Sequence, residues 1–297
     1  INSDDAYTRF EKMVLLSATK AIEDSGIDAS SDKTIFILST TKGNVSLLEK
    51  NVCGVDDNRV LLGVMANVIS CHFGNSNMPI VVSNACISGV CAQIVAKRCL
   101  ESRKYDNAVV IGADEQSPFI VSGFMSFRAL SPEVCHPFSK NRNGLNLGEA
   151  AATIIYQRCD NVIDGWQAVK GAIRNDANHI SGPSRTGEGS YRALKYVMTD
   201  EVVPADIAVV NVHGTATVYN DDMESIALSR AGLSDTPING YKGYYGHTMG
   251  AAGILESILS MKALDNGHIL PTRGYDEIGG THPVNISNKY RHTDKKK

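Results

Sequence analysis

The chain has 297 residues, of which 43% are hydrophobic and 21% charged, and its formal net charge is −3. This balance is typical of globular domains, indicates no basic surface for nucleic acid, and contains no apolar run long enough to span a bilayer. The seven cysteines are odd in number and lack the spacing of a zinc site. We therefore expect a reduced, cytoplasmic protein without a structural metal.

Predicted helices and strands alternate along the first half of the sequence. Apolar residues recur at helical spacing over 7–26, and Gly26 is a suitable residue to end that helix. The β-branched run at 34–38 predicts a buried strand. Similar patterns predict strands at 79–82, 107–112 and 151–156, and helices at 46–51, 58–73 and 89–100.

The same alternation continues in the second half of the sequence. Its apolar patterns predict strands at 165–174 and 207–212, and helices at 191–198, 221–231 and 249–264. Alternating strands and helices favour an α/β fold with largely parallel sheets. Each half also carries a reactive residue after a strand, which indicates a weak internal duplication.

Cys86 is the first of these residues, in the segment 84–89 between a predicted strand and a predicted helix. The first turn of a helix has unpaired N–H groups and a partial positive charge, which favour a thiolate over a thiol. Cys86 is therefore a candidate nucleophile. A small structural cysteine packed in a turn is the alternative.

His213 and His247 also follow predicted strands, and both lie among glycines. Catalytic groups collect at the carboxyl ends of parallel strands, and glycine lets a ligand approach the backbone closely. A cysteine with two histidines suits acyl transfer, because the cysteine can hold an acyl group while the histidines donate hydrogen bonds to an oxyanion or enolate. Taken singly, a histidine of this kind is more often a structural residue with its hydrogen bonds satisfied.

Three motifs in order make the chain resemble the β-ketoacyl-acyl carrier protein synthases of the thiolase-like condensing-enzyme superfamily. The nucleophile motif is similar to residues 84–89, Asn-Ala-Cys-Ile-Ser-Gly. The first histidine motif is similar to His213-Gly-Thr-Ala-Thr217, followed by Asp221 and Glu224. The lysine and second histidine motif is similar to residues 242–248 with 250–253, and the loop 137–150 also resembles the family.

This resemblance implies a thiolase-like layered α-β-α-β-α fold of two related halves, 1–157 with the nucleophile and 158–297 with the two histidines. It implies that Cys86 takes the acyl chain, and that His213 and His247 assist decarboxylation and stabilise the enolate. Lys242 resembles a lysine that supports the second histidine, and Glu256 resembles a glutamate of the same network. Thr215 and Thr217 resemble threonines that bind a phosphopantetheine arm.

The implied reaction is a decarboxylating Claisen condensation of an acyl thioester with malonyl-acyl carrier protein, in fatty acid, polyene or polyketide elongation. His247 matches the elongating Cys-His-His type, because chain-initiating relatives have asparagine there. The resemblance implies no dissociable cofactor, acyl carrier protein as partner, and a homodimer or a ketosynthase-like heterodimer.

The two ends of the chain depart from the family pattern. The chain resembles the family without its opening strand and without the glycine-rich loop near its end, so both ends are expected to be truncated. Two other functions remain open on the sequence. A non-catalytic ketosynthase-like partner subunit is the main alternative to a condensing enzyme, and an acyl hydrolase that uses Cys86 is the third possibility.

Overall fold

The computed structural model describes residues 6–49, 54–160, 165–176, 178, 182–199 and 202–295. Its α-helices are α1 Arg9–Ser25, α2 Leu62–His72, α3 Ser88–Glu101, α4 Pro118–Ser126, α5 Glu188–Val197, α6 Val218–Arg230, α7 Lys242–Tyr245 and α8 Ala252–Asp265. Its strands are β1 Thr34–Ser39, β2 Ile80–Val82, β3 Asn107–Asp114, β4 Ala150–Gln157, β5 Val210–Asn211, β6 Pro237–Asn239, β7 His268–Ile269, β8 Asn285–Ile286 and β9 Arg291–His292.

The chain divides into two compact units whose segments alternate along the sequence. The first unit comprises Ile1–Ile120, Gly148–Gln167 and Thr248–Leu255. The second comprises Val121–Leu147, Ala168–His247 and Glu256–Lys297. The halves suggested by the family resemblance, 1–157 and 158–297, stay a prediction.

A four-stranded sheet in the order β2-β1-β3-β4 forms the centre of the first unit. Strands β2, β1 and β3 are parallel, as the alternating pattern predicts. Strand β4 runs antiparallel to β3, with Asp114 opposite Ala150 and Asn107 opposite Gln157. The sheet is therefore largely parallel, as predicted, and β4 is an antiparallel strand at its edge.

Helix α1 is fixed at both ends by local chemistry. The Thr8 side chain accepts a hydrogen bond from the Glu11 backbone, the Glu11 carboxylate accepts one from the Thr8 backbone, and Gly26 ends the helix at φ 69°. Its buried face, with Phe10 and Leu15, packs against Phe36 and Val109 of the sheet. Complete burial of side chains of this size contributes roughly 1.5–3 kcal/mol each.

Helix α3 and the start of α8 pack through glycine in the first unit. A Cβ on Gly253 would lie 2.6 Å from the Val90 amide nitrogen, and a Cβ on Gly89 would lie 3.0 Å from the Gly253 nitrogen. The two backbones therefore come so close that a side chain at either glycine would collide with the other helix. This approach explains why the run 250–253 consists of glycine and alanine.

The second unit has a three-stranded parallel sheet in the order β5-β6-β8 and a two-stranded antiparallel pair, β7-β9. Phe138, Val212, Leu228, Leu233 and Ile238 form its buried core. The predicted strand at 165–174 is wrong, because residues 165–176 contain no strand. Strand propensity requires a partner strand, and within that segment Val169 is 58% exposed.

Among the described residues, we find no helix with the length and apolar character needed to cross a bilayer.

Candidate active site

Cys86 lies in a tight turn between β2 and α3, as predicted, and is half-buried. The Ser88 hydroxyl donates to the Ala85 carbonyl at 2.6 Å and accepts from the Asn84 amide at 2.8 Å. Ala85 has φ 46°, in the left-handed region that non-glycine residues seldom adopt. The cysteine therefore precedes the helix on a strained turn held by a buried serine, an arrangement that recurs at catalytic nucleophiles.

The first unit also contains a buried carboxylate that the sequence motifs do not reveal. Asp114, at the end of β3, accepts hydrogen bonds from the Thr40 hydroxyl at 2.8 Å and the Gly250 amide at 2.7 Å. The Thr41 amide donates to it as well. Burial raises the pKa of Asp114 above its ordinary value. Asp114 thus joins the loop after β1 to the small-residue turn before α8.

His213 follows β5 in the second unit, in a loop that Glu224 of α6 holds. The two Glu224 carboxylate oxygens accept from the His213 and Gly214 amides, each at 2.7 Å. Gly214 has φ 49° and Ala216 has φ 58°, so the loop turns sharply after the histidine. Burial, with the nearby Asp221 carboxylate, raises the pKa of Glu224 to about 7.

Thr215 and Thr217 belong to this loop, and Asp221 of the same motif follows it in α6. The hydroxyls of Thr215 and Thr217 are 2.9 Å apart. Asp221 is buried and accepts a hydrogen bond from the Phe138 amide at 2.7 Å. Burial raises the pKa of Asp221 to about 6.

His247 follows α7 and is 1% exposed. Gly246, with φ 79°, ends the short helix and turns the chain toward the histidine. The His247 amide donates to the Asn146 carbonyl at 2.7 Å, and Leu147 pairs with His247 as an isolated bridge. A loop far away in the sequence therefore fixes the backbone of the second histidine.

The structure brings the two histidine rings together in the second unit. Their centroids are 5.1 Å apart and the rings meet edge to face at 84°. Burial, followed by the charge of Lys242, lowers the pKa of His213 to about 3. The same causes, with His213 itself, lower the pKa of His247 well below 6.5. Both imidazoles are therefore neutral at pH 7, with one N–H donor each.

Lys242 and Glu256, which the family resemblance places in one network, form a buried ion pair in the same unit. The Lys242 Nζ lies 2.7 Å from the Glu256 Oε1, and the lysine is 1% exposed. Burial raises the pKa of Glu256 above its ordinary value. The ammonium group also disfavours a second positive charge on either histidine.

The second unit therefore assembles four of the predicted site residues: His213, His247, Lys242 and Glu256. Two neutral N–H donors close together can stabilise negative charge that develops on a carbonyl oxygen. The loop 137–150, which contains Asn146, resembles the family in sequence, but nothing in that pattern predicts the hydrogen bond from the His247 amide to the Asn146 carbonyl.

Comparison with known protein families gives two adjoining matches. The N-terminal domain of beta-ketoacyl synthases matches residues 2–161, and the C-terminal domain of beta-ketoacyl synthases matches residues 167–276.

Two individual relatives are similar to most of this chain. A putative mitochondrial 3-oxoacyl-[acyl-carrier-protein] synthase of Schizosaccharomyces pombe is 26% identical over 73% of this chain and 56% of its own length. The tetracenomycin polyketide synthase ketoacyl synthase alpha subunit of Streptomyces glaucescens is 26% identical over 91% of this chain and 72% of its own. The chain thus spans about half to three quarters of the length of these relatives.

A solved structure confirms the predicted thiolase-like α/β fold. The ketosynthase of Xenorhabdus doucetiae, solved in complex with its chain length factor, is 25% identical with a TM-score of 0.84. The match covers 98% of this chain and 77% of that one.

Proposed function

Because this chain belongs to the β-ketoacyl synthase family, we propose that the protein is a condensing acyltransferase that extends an acyl chain with malonyl-acyl carrier protein. Family membership follows from the N-terminal domain match, which alone covers more than half of the chain. The observation that carries the proposal is the pair of neutral histidines, 5.1 Å apart, beside the buried Lys242–Glu256 ion pair.

In the first step, the Cys86 thiolate attacks the carbonyl carbon of an acyl thioester on the carrier. The carbon–sulfur bond to the pantetheine breaks, the pantetheine leaves as a thiolate that takes up the proton lost by Cys86, and the acyl group stays on Cys86 as a thioester. The strained turn at Ala85 supports this role, since it presents the cysteine ahead of α3.

In the second step, malonyl-carrier loses carbon dioxide. The bond between the carboxylate carbon and the α-carbon breaks, and its electron pair forms a thioester enolate. The N–H groups of His213 and His247 donate to the enolate oxygen. Neutral imidazoles suit this task, because each keeps one N–H that can donate a hydrogen bond to the enolate oxygen. The buried rings then need not carry a positive charge.

In the third step, the enolate carbon attacks the acyl carbonyl on Cys86. The tetrahedral intermediate collapses, releases the Cys86 thiolate and leaves a β-ketoacyl group on the carrier. Burial keeps the histidines neutral, the Lys242 charge adds to this effect, and Glu256 balances the lysine charge. We assign Thr215 and Thr217 to the phosphopantetheine arm, since their paired hydroxyls can donate to and accept from its amides.

The partners follow from the same proposal. The carrier protein delivers the pantetheine arm, so the reaction needs no dissociable cofactor, and the Schizosaccharomyces pombe relative carries acyl-carrier-protein in its name. A second subunit is expected, either an identical copy or a ketosynthase-like partner. The Xenorhabdus doucetiae ketosynthase, solved with its chain length factor, supports the second possibility. Both fatty acid and polyketide elongation fit this chemistry.

The test is the intact mass of the protein after incubation with an acyl-carrier thioester. The parent should gain the mass of the acyl group, and Cys86→Ala should not. Cys99→Ala, a half-buried cysteine on α3, is the matched control and should load like the parent. A non-catalytic partner subunit would show no adduct on the parent, and a hydrolase would release free acid without decarboxylating malonyl-carrier.

A further inference from the structure

The Asn146 side chain makes three hydrogen bonds to backbone groups of a neighbouring stretch of chain. Its side-chain oxygen accepts from the Cys135 amide at 2.8 Å. Its side-chain nitrogen donates to the Ser131 carbonyl at 3.1 Å and to the Glu133 carbonyl at 2.8 Å. One side chain therefore ties down three backbone groups of the segment 131–135.

The backbone around Asn146 reaches both loops that carry the histidines. The Asn146 carbonyl accepts from the His247 amide at 2.7 Å. The Gly144 amide donates to the Ala216 carbonyl at 3.0 Å, in the loop that follows His213. The segment 144–147, which we call the bridging segment, is thus bonded to the loop of each histidine.

The bridging segment is itself held against a second stretch of chain. The Leu145 amide donates to the Ala129 carbonyl, and the Ser131 amide donates to the Leu145 carbonyl, both at 2.8 Å. At Gly144, φ is 135° and a Cβ would lie only 2.6 Å from the Ala129 oxygen, so the backbones touch. The Asn146 side chain extends this pairing beyond Ser131, to the backbone of Glu133 and Cys135.

We propose that Asn146 is a positioning residue that sets the spacing of His213 and His247 for the decarboxylation step. This inference rests on the proposed function. The bridging segment bonds to both histidine loops, and Asn146 is the side chain that fixes it to 131–135. Two neutral N–H donors must meet one enolate oxygen, and a misplacement of about 1 Å can slow such a reaction roughly 100-fold. Loading of Cys86 does not use the histidine spacing in this mechanism.

The experiment compares two rates within each preparation of protein: carbon dioxide release from malonyl-carrier, and acylation of Cys86 by an acyl-carrier thioester. Their ratio is independent of the folded fraction, because unfolded protein lowers both rates alike. For Asn146→Ala we expect the ratio to fall about 10- to 100-fold, mainly through kcat for decarboxylation rather than KM. Asn146→Asp, almost equal in size, should fall in the same direction, because a carboxylate cannot donate to the carbonyls of Ser131 and Glu133.

The matched control is Asn143→Ala. Asn143 accepts only from the Ser131 hydroxyl at an exposed position of the same loop, so the ratio should stay at the parental value. A parental ratio in both folded Asn146 variants would overturn the positioning role while leaving the proposed function intact. Proportional loss of both rates would also overturn it, in favour of a purely structural role. A parent that neither loads Cys86 nor releases carbon dioxide would instead contradict the proposed function.

Discussion

The Lys242 ammonium lies 2.7 Å from the Glu256 carboxylate, and both side chains are almost completely removed from water. Removal of two charges from water is unfavourable, and their attraction offsets this only while both are present. Burial is the main cause that lowers the pKa of His213 and His247, and the Lys242 ammonium of the pair lowers it further.

Lys242→Met should destabilise the protein by about 3–5 kcal/mol, because it leaves the Glu256 carboxylate buried without its partner. Urea unfolding followed by circular dichroism measures the change. Lys20→Met is the matched control: Lys20 pairs with Asp24 on the surface of α1, and its loss should change stability by less than about 1 kcal/mol. Equal effects of the two substitutions would show that the Glu256 carboxylate does not depend on Lys242 to offset its burial.

The pKa of His213 predicts an acid-dependent loss of stability. Below pH 6.5 the unfolded chain protonates this histidine, whereas the folded protein does so only near pH 3. The free energy of unfolding contributed by this group therefore falls as the pH falls from about 6.5 toward 3. His213→Asn should remove that part of the pH dependence. Identical pH profiles of unfolding for parent and variant between pH 4 and 7 would rule out the lowered pKa.

Glu224 predicts a dependence of the opposite sign. Its folded pKa is about 7, above the 4.5 of an exposed glutamate, so the folded protein holds a proton that the unfolded chain has lost. This contribution to stability is full below about pH 4.5 and is lost as the pH rises through 7. Relative to Glu224→Gln, the parent should therefore become less stable over that range in thermal unfolding. A difference that grows in favour of the parent would contradict the assignment.

The glycine contact between α3 and α8 predicts a contrast between two alanine substitutions. Gly253→Ala places a methyl group 2.6 Å from the Val90 backbone and should cost about 1–3 kcal/mol. Gly123→Ala, inside α4 with no atom within 4 Å of the new Cβ, should stabilise by roughly 0.5–1 kcal/mol. Urea unfolding of both variants gives the comparison. A Gly253→Ala protein as stable as the parent would mean that the helices separate without penalty.

Local patterns predicted much of the fold. The β-branched run at 34–38 is β1, and the periodic segment at 7–26 is α1 with Gly26 at its end. Position along the chain also placed Cys86 between β2 and α3. These features depend on neighbours in sequence, which is why a sequence pattern can show them.

The features that the sequence did not predict depend on contacts with other parts of the folded chain. The segment 165–174 has residues that favour a strand, but in the described part of the chain it forms none. The bonds of Asn146 to Cys135 and to the backbone of Ser131 depend on a loop closing on itself. The contact of Asp114 with Gly250 joins residues 136 positions apart. None of these partners is encoded by a local motif.

The most direct test of the central claim is carbon dioxide release from malonyl-carrier, measured beside acyl loading of Cys86 in His213→Ala and His247→Ala. Both variants should still acquire the acyl adduct, while decarboxylation should fall by about 100-fold or more, because the enolate loses a neutral N–H donor. Parental carbon dioxide release in both variants would show that the two histidines do not stabilise the enolate.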